Sequence, residues 1–128
     1  MVIRYASALL TLAGLLALVS GLLFWTGNAL NLVSAHILLG LLSVGALWII
    51  GIGQAFAKGG SWMIAISALV GGALTAVIGL DQSSLLIGAY HWVIRLIHLL
   101  LGLVTLGLGH LGAARYRTRY QISQALGP

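Results

Sequence analysis

Apolar residues fill four long stretches of this chain, and short polar or glycine-containing segments separate them. A helix that crosses a bilayer needs roughly 20 apolar residues, which is about the length of each stretch. Turn-forming residues at 26–28, 57–61 and 81–84 provide the breaks. The pattern therefore predicts an all-α fold, an integral membrane four-helix bundle. The predicted spans are about 6–25, 29–56, 62–80 and 90–113, in a single transmembrane domain covering residues 1–122.

The few charged residues predict the orientation of these spans. A basic tail at 115–128 follows the last span, and the remaining loop cations fall on the same side of a four-span series. The opposite side carries Asp81 in its loops. Because positive loops stay inside, we expect both termini to be cytoplasmic and the protein to lie in the cell (inner) membrane. The cations on the predicted cytoplasmic side are Arg4, Lys58, Arg115, Arg117 and Arg119.

Composition narrows the chemistry that such a bundle can perform. Of 128 residues, 61% are hydrophobic and 5% are charged, whereas soluble domains carry about 25% charged residues. The net charge of +5 is concentrated at one membrane face, so a nucleic-acid partner is not expected. Without cysteine and with Asp81 as its one acid, the chain has no thiolate metal site, no cysteine nucleophile and no carboxylate pair.

The second and fourth spans share a motif. Residues 36–45 align with residues 98–107 at an offset of 62. A weaker match relates residues 19–22 of the first span to residues 77–80 of the third. These matches predict two duplicated helical hairpins related by a pseudo-two-fold axis along the membrane normal. The equivalent residues are His36 and His98, Gly40 and Gly102, Ser43 and Thr105, and Gly45 and Gly107.

The predicted symmetry places His36 and His98 opposite each other inside the bundle. Zinc and copper sites usually need more protein ligands than two, whereas heme iron needs only two axial ligands because the porphyrin supplies four nitrogens. Gly40 and Gly102 lie one turn from the histidines, where a missing side chain leaves room for a flat macrocycle. The motif therefore predicts one heme b per chain, with His36 and His98 as iron ligands. The alternative is that each histidine only bonds a neighbouring backbone group.

A polar stripe rises from the fourth-span histidine toward the outer surface. His91, Arg95 and His98 are spaced i, i+4 and i+7, which places them on one helical face. Arg95 is then positioned to pair with the heme propionates, although an arginine this close to the interface can also reach water by itself. His91 is interpreted as an interfacial cofactor-binding residue and as the substitute ligand if His98 is not one.

The remaining histidine lies far from this pair. His110 comes twelve residues after His98, and its counterpart in the second span is Trp48. A second bis-histidine heme is therefore not predicted. His110 is interpreted as a cation near a helix C-terminus, with a quinone site as the alternative.

These residues resemble the heme A synthase family. Each half of those proteins is a four-helix bundle with histidine ligands on its second and fourth helices, and the segment 98–102 is similar to the fourth-helix motif. The resemblance covers most of the chain and implies a half-size relative with His36 and His98 as heme ligands. The family typically has Glu three residues before the second-helix histidine and Arg after it, where this chain has Val33 and Ile37. Small b-type cytochromes, including anchor subunits of membrane dehydrogenases, share the arrangement.

The expected activity is electron transfer through the heme. One heme near one face does not span the bilayer, so a quinone or a respiratory dehydrogenase subunit is the expected partner, besides the lipid bilayer. A homo-oligomer is an open alternative, and a stand-alone enzymatic activity is not assigned. Four other functions stay open: a cofactor-free structural or assembly subunit, a compact heme A synthase-like protein, a small transporter or channel, and a protein that binds a chlorophyll-type pigment through one histidine.

Overall fold

Four long helices make up nearly all of the chain. The computed structural model describes residues 1–125, and that part of the protein contains helices and no strands. Each long helix has the length and apolar composition needed to cross a membrane. The helices are α1 (Val2–Trp25), α2 (Val33–Ala55), α3 (Trp62–Asp81) and α4 (His91–Ala125), with a 3₁₀ turn at Leu30–Leu32 before α2.

The predicted fold class is confirmed, and the differences lie at the ends of the helices. The second predicted span begins at residue 29, but α2 itself begins at Val33, after the 3₁₀ turn. The basic tail predicted at 115–128 is helical in its described part, where α4 continues to Ala125. Arginine, tyrosine and glutamine sustain a helix, and neither glycine nor proline interrupts the chain between 113 and 125. Residues 126–128 of the predicted tail lie outside the described residues.

The connections are short and are built from specific polar contacts. After α1, the left-handed residues Gly27 (φ 77°) and Ala29 (φ 57°) reverse the chain. Between α2 and α3, the Nε2 group of the buried Gln54 donates to the Ser61 carbonyl at 2.7 Å. The Ser61 hydroxyl in turn accepts from the Ile64 N–H and caps α3. Gln54 thus joins the end of α2 to the start of α3.

The helices form a four-membered ring with one short diagonal. Each helix packs against its chain neighbours, and α1 also packs against α4. In addition, α2 and α4 contact each other across the bundle. Close approach depends on small residues, since a Cβ added to Gly51 would lie 2.7 Å from the Ala68 Cβ. The two helices of the short diagonal are the two that carry the repeated histidine motif.

Large apolar side chains face outward along the whole bundle, as expected for a surface in contact with lipid rather than water. Leu12 and Val70 are examples, 63% and 55% exposed. The core is narrow, with Leu10, Leu47 and Ile50 as its largest fully buried side chains. The connections 26–32 and 82–90 lie at the same end of the bundle, which we call the histidine end because His36 and His98 lie near it.

Candidate functional site

The rings of His36 and His98 lie against each other at the histidine end. His36 is the fourth residue of α2, and His98 is the eighth residue of α4. Their ring centroids are 6.2 Å apart, and their planes are inclined by 66°. The short α2–α4 diagonal brings these residues together even though 62 positions separate them in the chain.

The end of α1 surrounds the His36 ring. Nδ1 of His36 is 2.9 Å from the Ser20 hydroxyl oxygen. Phe24, one turn later, makes an edge-on contact with the ring at a centroid distance of 5.2 Å. Gly21 allows the ring to approach α1, because a Cβ there would be 3.2 Å from Cε1. Three successive contacts from α1 therefore fix the position of the His36 ring.

His98 occupies the equivalent place beside α3, but its contacts differ. A Cβ added to Gly79 would lie 2.6 Å from Cε1 of His98, so glycine is required for this closer approach. Nδ1 of His98 is buried and has no hydrogen-bond partner among residues 1–125. The two glycine–histidine contacts, Gly21 with His36 and Gly79 with His98, match the weaker repeat seen in the sequence. The duplicated hairpin therefore has a structural counterpart at the candidate site.

A cavity of about 340 Å³ lies between the four helices and includes both histidines in its lining. This volume falls within the range of small-molecule sites, roughly 300–1,000 Å³. Gly40 and Gly102 also line the cavity, and a Cβ added to either would meet no atom within 4 Å. Both glycine positions are therefore open toward the cavity.

Hydroxyl groups form the inner end of the cavity. Thr75 and Thr105 place their hydroxyl oxygens 2.9 Å apart, and Thr75 donates to the Gly71 carbonyl at 2.8 Å. Ser43, the repeat partner of Thr105, donates to the Leu39 carbonyl. The inner end of the cavity is therefore polar, and its hydroxyl groups already have hydrogen-bond partners within the protein.

Arg95 and His91 lie at the mouth of the cavity. Arg95 is exposed and has no carboxylate within ion-pair distance in the part of the chain that the structure describes. His91 approaches the Leu85 carbonyl with its Nδ1 at 3.2 Å, so the α3–α4 connection holds its ring. Both residues also line a neighbouring open recess of about 440 Å³ with Trp92 and Ser83. The predicted stripe therefore runs from the paired histidine to the surface.

His110 lies outside the candidate site. It is exposed on α4 and does not line the cavity. Its interpretation as a cation at a helix C-terminus was wrong, because α4 continues for another fifteen residues to Ala125. The counterpart Trp48 packs toward Gly72 and buries its indole Nε1 without a described hydrogen-bond partner.

The paired donors at the cavity are the imidazoles of His36 and His98, fewer ligands than a zinc or copper ion held by protein alone usually needs. No group of three or more histidine, cysteine or acidic side chains occurs within the described residues. The rings of His36 and His98, with centroids 6.2 Å apart, are close enough for one group bound in the cavity to contact both.

Three residues of the site were missed in the sequence: Ser20, Gly21 and Phe24 of α1. The weak repeat contained a signal for two of them, because Ser20-Gly21 aligns with Ile78-Gly79. The repeat did not indicate that these residues face a histidine of the next helix.

In comparisons with known proteins, no family model, no curated protein and no solved structure matches this chain.

Proposed function

We propose that this protein is a b-type cytochrome that holds one heme between His36 and His98 and transfers electrons. The observation that carries the proposal is the pair of imidazole rings, with centroids 6.2 Å apart, that line the same cavity. Two further features support it. Neither His36 nor His98 uses Nε2 in a hydrogen bond within residues 1–125, and neither Nε2 atom is enclosed. An accessible, unpaired ring nitrogen is what metal ligation requires.

Each residue of the cavity has a separate role in this proposal. His36 and His98 ligate the iron, and Gly40 and Gly102 leave space for the porphyrin. Arg95 neutralises propionate charge at the mouth, where water is accessible, and His91 supports that edge through its contact with the connection. The bound heme would supply one-electron redox chemistry. The protein positions the ligands, surrounds them with apolar residues and supplies a nearby cation.

The position of Val33 favours electron transfer over synthase activity. Heme A synthases typically have a glutamate at the corresponding place, and here the apolar Val33 lines the cavity near its mouth. Asp81 is the chain's one acidic residue. It is exposed and is not among the residues that line the cavity. If this chain were a compact heme A synthase, it would therefore lack the glutamate that the family typically has at this position.

The electron partner would approach at the histidine end. The cavity and the neighbouring open recess share Arg95 and His91, next to the exposed Trp92. A quinone head group or a dehydrogenase subunit would therefore have access to the heme edge there. We propose that this end faces outward in the cell (inner) membrane and that both termini are cytoplasmic, because the loop cations gather at the opposite end. A homo-oligomer would present the same end in each copy.

The test is an optical spectrum of the purified protein in detergent. A reduced-minus-oxidised spectrum should show the sharp bands of a low-spin b-type heme, and a pyridine extract should give about one heme b per chain. A protein that stays colourless after expression with ample heme and after heme addition would overturn the proposal. The cofactor-free packing subunit would then be the leading function.

A further inference from the structure

The two histidines of the candidate site differ in what their Nδ1 atoms contact. Nδ1 of His36 lies 2.9 Å from the Ser20 hydroxyl, whereas Nδ1 of His98 is buried without a partner among the described residues. In the repeat, the residue equivalent to Ser20 is Ile78, which has no hydrogen-bonding group. One ring therefore has a polar neighbour that orients it, and the other does not.

The surroundings of Ser20 indicate which atom donates the hydrogen. Its hydroxyl oxygen lies 2.8 Å from the Leu16 carbonyl oxygen and 3.0 Å from the Ala17 carbonyl oxygen. Both are acceptors, and such short oxygen–oxygen contacts are favourable only when the hydroxyl hydrogen points at them. The hydroxyl oxygen is then free to accept from Nδ1–H of His36.

We propose that Ser20 is a positioning residue that holds His36 as the Nδ1–H tautomer with the Nε2 lone pair directed to the cavity. The heme part of this inference rests on the proposed function, but the tautomer does not. Hydrogen-bond acceptors on the second nitrogen of a ligating histidine fix its tautomer and increase its electron donation to the metal. His36 is thus prepared for ligation before the cofactor binds, and His98 receives no comparable support from α3.

The tautomer can be measured without any cofactor. Nitrogen NMR of ¹⁵N-histidine-labelled, heme-free protein in micelles distinguishes Nδ1–H from Nε2–H, and a His36→Gln variant assigns the signal. We expect the Nδ1–H form at His36 in the unmodified chain and in Ser20→Thr, which keeps the hydroxyl. In Ser20→Ala the Nδ1–H fraction should fall. An Nε2–H form in the unmodified chain, or a fraction unchanged in Ser20→Ala, would overturn the inference.

A matched control separates this effect from general damage to α1. Thr11 makes the same type of bond to the carbonyl four residues earlier, at 2.8 Å, and does not line the cavity. Thr11→Val should therefore leave the His36 tautomer unchanged. An equal change in Thr11→Val and Ser20→Ala would assign the effect to the helix and contradict a specific role of Ser20.

The heme-loaded protein provides a second readout. Ser20→Ala should retain heme with about 10-fold weaker affinity, the low end of losses for such supporting residues. Its midpoint potential should rise, because a weaker electron donor stabilises the ferric state less. Ile78→Ser should do the opposite for His98 and lower the potential. If the variants bind heme but neither shifts the midpoint potential, the proposed role of Ser20 is contradicted and the proposed cytochrome function is not. If neither the unmodified chain nor any variant binds heme, the proposed function is contradicted, and the tautomer measurement still tests the role of Ser20.

Discussion

The two hairpins of this bundle are alike where their histidines meet and different around that meeting point. Each hairpin provides a histidine, a glycine from the preceding helix that lets the ring approach, and a glycine one turn further on that opens into the cavity. The shared residues are Gly21, His36 and Gly40 in the first hairpin and Gly79, His98 and Gly102 in the second.

The polar residues are divided unequally between the hairpins. The first hairpin hydrogen-bonds its histidine through Ser20. The second hairpin provides the mouth of the cavity through His91 and Arg95, whose counterparts in the first are Ala29 and Val33. The two hairpins therefore contribute similar rings, but the first also supplies a hydrogen bond to its ring and the second supplies the charge at the mouth of the cavity.

Removing either ring should have the largest effect and tests the likeness of the hairpins. His36→Ala and His98→Ala should each abolish low-spin heme binding, because each removes one of the two proposed ligands. The readout is heme per chain from a pyridine extract. His110→Ala, an exposed histidine on α4, should retain the full amount. If His91→Ala loses heme and His98→Ala retains it, His91 is the ligand, and the two hairpins do not contribute equivalent ligands.

Filling the open glycine positions should block the cavity without unfolding the protein. A Cβ at Gly40 or Gly102 meets no atom within 4 Å. Leucine at either position should therefore prevent heme loading, while the heme-free protein gains up to about 1 kcal/mol from the loss of a helical glycine. Thermal unfolding and heme content measure the two effects. Gly45→Leu and Gly107→Leu are matched controls, equally open but outside the cavity lining, and should load normally.

Alanine at the two glycines beside the rings should expose a difference between the hairpins. The added Cβ would lie 2.6 Å from His98 in Gly79→Ala and 3.2 Å from His36 in Gly21→Ala. We expect Gly79→Ala to lose about 1–3 kcal/mol of stability from overpacking. Gly21→Ala should lose less, because a shift of a few tenths of an ångström relieves its contact. Equal melting temperatures for the two variants in detergent would contradict this order.

The smallest predicted effect concerns the charge found in the second hairpin only. Arg95→Gln should weaken heme retention a few-fold, since an exposed ion pair contributes about 0–1 kcal/mol. The midpoint potential should fall, because a removed cation no longer disfavours the ferric state. Potentiometric titration at low salt measures the shift. Lys58→Gln, at the opposite end, is the control, and a shift of equal size there would remove Arg95 from the site.

Much of the fold followed from the sequence because apolar length and turn residues act locally. Four spans, two related hairpins and the pairing of His36 with His98 all come from periodicity and internal repetition. The predicted membrane span ends near residue 113, where the hydropathy drops, whereas the helix itself continues to Ala125. Where a helix passes from lipid into water, different side chains become favourable, but the backbone hydrogen bonds of the helix continue without interruption.

The tertiary structure alone decided the contacts of each ring. The sequence by itself determined which residue types stand on which helix, including Ser20 against Ile78 and Arg95 against Val33. It did not determine that α2 and α4 lie on the short diagonal, that Ser20 bonds Nδ1 of His36, or that His98 lies closer to its glycine. Those features depend on differences of a few tenths of an ångström in the separation of the helices, which is set by the packing of small residues from all four helices together.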